Sequence, residues 1–115
     1  MSYNKTAWGR AIPYTSPTGV ETTLFNIGTV AEAIGRTSQT IRKWEVAGVI
    51  PETPFKQSGR RLYSKEHIDA IVNCAEKAHL APGKNISTTN FSNRLYKEFQ
   101  RINDLFFKEE KEDES

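Results

Sequence analysis

Short apolar runs separated by polar turns open the chain, and their spacing predicts a hairpin. Extended segments at 12–14 and 20–25 flank the turn sequence Ser16-Pro17-Thr18-Gly19. A proline at the second turn position and a glycine at the fourth are typical of a type I turn. Pro13 lacks an amide hydrogen and would keep the first strand at a sheet edge. We therefore predict a short β-hairpin over residues 12–25.

Two short amphipathic segments follow this hairpin and are joined by a glycine turn. The apolar residues of 30–34 recur at helical spacing, and Gly35 can end that helix. Thr37 is placed to accept a backbone N–H as the N-cap of a second helix over 38–47. Two short helices joined by a tight turn are typical of a helix-turn-helix.

A second two-stranded unit and a third helix complete the predicted domain. Residues 55–63 alternate around the turn Gln57-Ser58-Gly59, and we interpret them as a wing. Ser64 is placed to cap a third helix that ends near Leu80, and its apolar residues fall on one face.

The last apolar pattern is a single seam along a helix predicted over residues 87–108. Its members recur at intervals of four, four, three and four residues. The seam has two open interpretations: it forms a dimer or partner interface, or it packs back over the winged domain and completes its core. The five residues are Phe91, Leu95, Phe99, Ile102 and Phe106.

These elements predict a mainly α fold with a small β component. A winged helix-turn-helix over 26–80 is preceded by the hairpin and followed by the C-terminal amphipathic helix. We expect residues 1–11 to be flexible and 109–115 to form a solvated acidic tail. A length of 115 residues fits one domain.

Composition narrows the class of protein. No apolar stretch approaches the roughly 20 residues that cross a bilayer, and residues 1–20 lack the pattern of a signal peptide. The single cysteine, Cys74, cannot form an internal disulfide. We therefore expect a cytoplasmic protein without a membrane partner.

Charge is segregated along the chain although the net charge is only +2. Residues 36–67 contain seven lysines and arginines against three acidic residues, whereas 108–115 contain two against five. A basic working surface with a solvated acidic tail is one explanation. Ordinary solvated faces are the other.

The basic region contains the candidates for nucleic-acid contact. A helix presented to the major groove needs hydrogen-bond donors near its N-terminus and phosphate ligands around them. A basic hairpin is suited to phosphates or the minor groove, although cations on edge strands also block edge-to-edge pairing. The candidates are Ser38, Gln39, Thr40, Arg42, Lys43 and Trp44 on the second helix, and Lys56, Ser58, Arg60 and Arg61 in the wing.

Four sequence blocks in this order and spacing resemble the DNA-binding domain of the MerR superfamily. They match its first helix, its T-(I/L)-R-x-(Y/W)-E recognition helix, its G-(L/V)-(L/I)-P exit and its G-x-R-x-Y-S passage from wing to helix. The blocks are residues 25–35, 37–45, 48–51 and 59–64.

The resemblance implies a winged helix-turn-helix that binds double-stranded DNA. It would place Thr40 and Arg42 on the recognition helix and Arg61 in the wing. Trp44 stands where the family often has tyrosine, and either core packing or a phosphate contact through its indole N–H fits. Arg60 lies where the family often has an aromatic residue. Tyr63 would pack the wing against the third helix.

The sequence departs from the family's full-length regulators. In that family, two copies form a dimer through a long coiled coil that carries an effector site. Here the last helix has about 20 residues, and the chain looks closer to compact phage and excisionase modules. His67 and His79 are twelve residues apart and lack a partner set for zinc. Cys74 is interpreted as a small buried hydrophobe. We expect no cofactor, metal, small-molecule effector or enzymatic activity.

Two functions follow as hypotheses. The first is a double-stranded DNA-binding protein acting in transcription or DNA architecture, with a possible homodimer through the C-terminal helix. The second is a phage assembly or interaction protein, such as a DNA-packaging subunit or a polymerase-binding inhibitor, that uses the winged fold mainly for protein contacts.

Overall fold

The structure is a computed structural model that describes residues 11–78 and 88–108. Residues 1–10 of the predicted flexible start, His79 and the predicted acidic tail lie outside these residues, while the third helix, predicted to end near Leu80, ends at Lys77. Helices and strands follow in the order β1 Ile12–Thr15, β2 Glu21–Asn26, α1 Ile27–Ala33, α2 Ser38–Val46, β3 Phe55–Gln57, β4 Arg60–Ser64, α3 Lys65–Lys77 and α4 Thr88–Phe107.

The predicted N-terminal hairpin is confirmed. The Gly19 amide donates to the Ser16 carbonyl at 2.9 Å, which closes the four-residue turn. Strands β1 and β2 then pair antiparallel, with Pro13 opposite Thr23. Since β1 is one of the two edge strands, Pro13 does not lie in an interior strand of the sheet.

This hairpin is continuous with the wing, which the sequence analysis treated as a separate two-stranded unit. The four strands form one sheet in the order β1-β2-β4-β3. Strand β2 pairs antiparallel with β4, and Phe25 lies opposite Tyr63. Both residues are buried, so the pairing covers apolar surface as well as satisfying backbone groups. The wing is therefore anchored to the rest of the fold along β4.

Side-chain caps define both helices of the helix-turn-helix. Asn26 caps α1 by accepting the Thr29 amide at 3.0 Å, and Thr37 caps α2 by accepting the Thr40 amide at 3.2 Å. Gly35, at φ +68°, lies in the turn between the helices. Each cap satisfies an amide that would otherwise lack an intrahelical partner.

The apolar seam of α4 is part of this chain's own core. Phe91 contacts Trp44 at 6.0 Å between ring centroids, Phe99 contacts His67 at 4.5 Å, and Phe106 contacts Phe55 at 5.8 Å. All five seam residues are at most 2% exposed. The interpretation of Phe91, Leu95, Phe99, Ile102 and Phe106 as a dimer or partner interface is therefore corrected, because the winged domain already covers them.

Polar contacts fix α4 along its length. The Tyr96 hydroxyl donates to the Gly48 carbonyl just beyond α2 at 2.9 Å. At the other end, the Thr18 hydroxyl lies 2.8 Å from the carbonyl oxygens of both Leu105 and Phe106. These hydrogen bonds therefore join the N-terminal hairpin to the C-terminal helix, which precede and follow the winged domain in the sequence.

Candidate nucleic-acid interface

A groove runs between the start of α2 and the wing. Residues from three parts of the fold line it: the beginning of α1, the exposed side of α2, and the turn and first residues of β4. They are Asn26, Ile27, Gly28, Ser38, Arg42, Gly59, Arg60 and Arg61. The groove thus collects three arginines from two elements that are close only in the folded chain.

Helix α2 divides its side chains between core and solvent. Ile41 is fully buried and anchors the inner face, whereas Gln39, Arg42 and Lys43 are exposed. Ser38 and Thr40 are half-buried near the N-terminus. The helix therefore presents a basic outer face while its inner face holds it on the domain.

The wing turn has the geometry of a two-residue hairpin loop. Ser58 and Gly59 have φ values of +53° and +79°, and positive φ at both central positions is the requirement of a type I′ turn. Ser58, at the tip, and Arg60 are both exposed. Lys56 is paired at 3.4 Å with Glu52 in the segment before β3, so part of its charge is offset.

Arg61 of the wing makes an ion pair with helix α2. Its Nε donates to Oε1 of Glu45 on α2. The Glu45 side chain is only 2% exposed, and that of Arg61 is 28% exposed. A buried carboxylate is costly unless it is paired, so this contact ties the wing to α2. A role for Arg61 at DNA must be compatible with this contact.

Trp44 occupies a position between core and surface. Its ring packs edge-to-face on Phe91, and the guanidinium of Arg36 lies 5.5 Å from its centroid. These contacts identify a packing role for the half-buried ring. The phosphate contact through its indole N–H stays a prediction.

Tyr63, on β4, is fully buried. Among the described residues its hydroxyl has no hydrogen-bond partner. Burial raises the pKa of Tyr63, and the negative charge of Glu45 acts in the same direction. The hydroxyl therefore stays protonated, and Tyr63 serves as a core residue.

The groove unites four of the ten residues predicted from the sequence to contact DNA. It adds four residues that the sequence analysis missed as groove residues: Asn26, Ile27, Gly28 and Gly59. Glu45 was also missed, and its signal was a lone carboxylate inside the T-I-R-K-W-E block. Of the predicted set, Ser38, Arg42, Arg60 and Arg61 line the groove, while Gln39, Thr40, Lys43, Trp44, Lys56 and Ser58 lie outside its lining.

Other candidate chemistry is buried or absent within the described residues. His67 and Cys74 are both buried, and burial raises the pKa of the Cys74 thiol. Across residues 11–78 and 88–108, no group of three potential metal ligands occurs. In the same part of the chain, no helix is both long and apolar enough to cross a membrane.

Comparison with known proteins agrees with this geometry. Residues 25–76 match the family described as MerR HTH family regulatory protein. The mercuric resistance operon regulatory protein of Bacillus cereus is 38% identical over 47 residues, which are 41% of this chain and 36% of that relative. This chain therefore matches about a third of the relative's length. No solved structure matches. The segment 25–76 is a MerR-like helix-turn-helix DNA-binding domain.

Proposed function

We propose that this protein binds duplex DNA through α2 and the wing and acts as a transcriptional regulator. One observation carries the proposal. Arg42 on α2 and Arg60 on the wing line a common groove, and both side chains are exposed. A helix and a basic hairpin arranged this way can engage a base edge and the phosphate backbone together.

The exposed residues of α2 have the chemistry for reading bases. Arginine can form two hydrogen bonds to guanine and glutamine two to adenine, each pair giving about 1–3 kcal/mol of discrimination. Arg42 and Gln39 are the proposed pair. Lys43 and the wing cations would contribute mainly phosphate contacts, which supply affinity that falls as salt rises.

Regulation of transcription is the finer part of the proposal. It is supported by the name of the Bacillus cereus relative, a regulatory protein of an operon. The mercuric function in that name is not transferred, because the match covers 36% of the relative and the one cysteine of this chain, Cys74, is buried.

The alternative of an assembly protein acting through protein contacts would use a binding surface on the aromatic helix or on the N-terminal hairpin. The apolar seam of α4 is at most 2% exposed, so it offers no docking surface to that alternative. Phage assembly, excisionase-like and architectural roles stay predictions from the resemblance. No feature of the described residues favours them over regulation.

Fluorescence anisotropy with a labelled random-sequence duplex at several salt concentrations tests DNA binding. We expect Arg42→Glu and Arg60→Glu each to weaken binding at least tenfold, since each replaces an attraction to phosphate by a repulsion. Lys97→Glu is the matched control, because it makes the same charge change on the exposed side of α4, outside the groove.

Equal losses in all three variants would indicate a response to net charge alone and would contradict the proposed surface. No binding by the folded native chain at low salt would refute the function itself. A selected binding site placed upstream of a reporter would then test regulation, with Arg42→Glu expected to abolish the effect on transcription.

A further inference from the structure

We propose that Glu45 is a positioning residue for DNA binding: it holds Arg61 by Nε so that the terminal guanidinium nitrogens can bind a backbone phosphate in the groove. The inference rests on the proposed function and adds a role for a residue whose negative charge has the same sign as that of the phosphate ligand. It also reconciles the ion pair of Arg61 with a place in the DNA-binding surface.

The Glu45 carboxylate is held on both of its oxygens. Oε1 accepts from Nε of Arg61, and Oε2 accepts the Thr53 amide at 3.3 Å. The Thr53 hydroxyl donates to the Leu62 carbonyl on β4 at 2.5 Å. Helix α2, the loop before β3 and strand β4 are therefore joined through one buried carboxylate. Such a fixed acceptor restricts where the guanidinium of Arg61 can lie.

The chemistry of arginine allows both contacts at once. A guanidinium has five N–H donors in a planar fork, and the contact with Glu45 uses the one on Nε. Arg61 is 28% exposed and lines the groove with Arg42 and Arg60. A side chain already held in place loses less conformational freedom when it binds a phosphate. The ion pair with Glu45 therefore orients Arg61 for a phosphate and leaves its terminal nitrogens available to bind it.

The direction in which DNA affinity changes when the charge of Glu45 is removed tests this inference. A carboxylate near a DNA-binding groove repels phosphates, so its removal should strengthen binding if Coulomb interactions alone were at work. If Glu45 positions Arg61, its removal should weaken binding. A purely stabilising ion pair would change the unfolding free energy without lowering affinity in the folded protein.

The experiment compares Glu45→Gln with the native chain over a salt series, below the unfolding temperature of each protein. We expect binding to weaken about tenfold, the order of one hydrogen bond to a charged group. The slope of log affinity against log salt should become shallower by about 0.9, the value for one phosphate contact. Arg61→Gln should produce the same change in slope.

Glu52→Gln is the matched control, because Glu52 is an exposed carboxylate near the wing and outside the groove. It should leave binding unchanged or slightly tighter. If Glu45→Gln also binds as tightly as the native chain, with the native slope, the positioning role is refuted.

Arg61→Lys keeps the inference falsifiable if Glu45→Gln does not fold. Lysine keeps the positive charge but lacks the planar fork, so it cannot hold the carboxylate and a phosphate in the same geometry. We expect about tenfold weaker binding, and native affinity would overturn the inference. DNA binding by the native chain that neither variant changes refutes this inference alone. Absence of native binding refutes the proposed function and this inference with it.

Discussion

At the scale of single residues, His67 on α3 makes polar contacts through both nitrogens of its buried ring, one to the cap of its own helix and one to α4. Its Nδ1 lies 2.6 Å from Ser64 Oγ, and its Nε2 lies 2.8 Å from Asn103 Oδ1. The ring also packs on Phe99 and Phe55. Burial lowers the pKa of His67 to about 4, although the Asn103 hydrogen bond and the charge of Glu66 act in the opposite direction.

The lowered pKa of His67 predicts that acid destabilises the fold. The folded-state pKa of about 4 lies below the unfolded value near 6.5, so the unfolded chain binds the extra proton first. Stability from the neutral ring is present above pH 6.5 and is lost as pH falls toward 4. We expect a loss of about 2 kcal/mol in unfolding free energy between pH 7 and pH 5.

Urea unfolding at both pH values measures this loss, and His67→Gln is the control. The variant lacks the titrating ring, so most of its pH dependence in this range should disappear. An unchanged pH dependence in His67→Gln would assign the effect to other groups.

The wing turn makes a second prediction at the residue scale. Gly59 has φ +79°, and a Cβ added there would meet nothing within 4 Å. The cost of Gly59→Ala therefore comes from the backbone alone and should be about 1–2 kcal/mol. Thermal unfolding measures it. Ser58→Gly should change stability in the opposite direction, because Ser58 already adopts φ +53°. Equal destabilisation by both changes would contradict the observed turn.

At the scale of elements, α4 determines whether the domain has a complete core. Phe99 is 1% exposed and lies within the seam that covers the winged domain. Leu105 on the same helix is 49% exposed. One helix therefore offers a buried and an exposed apolar position for comparison.

We expect Phe99→Ala to lower the unfolding free energy by about 3–5 kcal/mol, because it removes a buried ring and leaves a cavity. Leu105→Ala should cost well under about 1 kcal/mol. Chemical denaturation gives both values, and sedimentation of the native chain and the variants reports their oligomeric state. A native dimer that Phe99→Ala converts into a stable folded monomer would restore the interface interpretation.

At the scale of the whole molecule, the matched segment 25–76 depends on elements on both sides of it. Strand β2 begins before this segment and pairs with β4 inside it. Helix α4 follows it and covers Trp44, Phe55 and His67. The segment is therefore recognisable by sequence, but its core is completed by the rest of the chain.

Removal of residues 79–115 should prevent stable folding. The five seam residues are large apolar side chains, and burial of each contributes about 1.5–3 kcal/mol, so their sum approaches the whole stability of a small domain. Circular dichroism and the dispersion of amide NMR signals measure the outcome. A chain ending at residue 108 is the control and should stay folded. A folded chain ending at residue 78 would show that α4 is dispensable.

The features predictable from sequence were those set by neighbouring residues. Thr37 predicted the start of α2 correctly, and the turn at Ser16–Gly19 forms where its proline and glycine predicted a turn. The helical spacing of the seam identified the buried face of α4 correctly but not its partner. Burial on the same chain and burial on a second copy require the same spacing, so periodicity could not distinguish them.

The candidate site was predictable as a set of basic residues but not as a geometry. The sequence predicted Arg42 and Arg60 to be exposed cations, because the apolar residues near them occupy the buried positions. The contact of Arg61 with Glu45 joins residues 16 positions apart. Their approach depends on how the β3–β4 hairpin folds against α2, and no local rule of spacing contains that information.

The sequence by itself determined the local elements, the helix-turn-helix resemblance and the basic character of one surface. Caps, turn residues and helical periodicity act over a few positions, so they can be recognised in the sequence. Tertiary structure decided that β2 pairs with β4, that the α4 seam is core, and that the wing is tied to α2 through Glu45. These are contacts between distant segments, and their selection depends on which apolar faces and polar groups can be satisfied together.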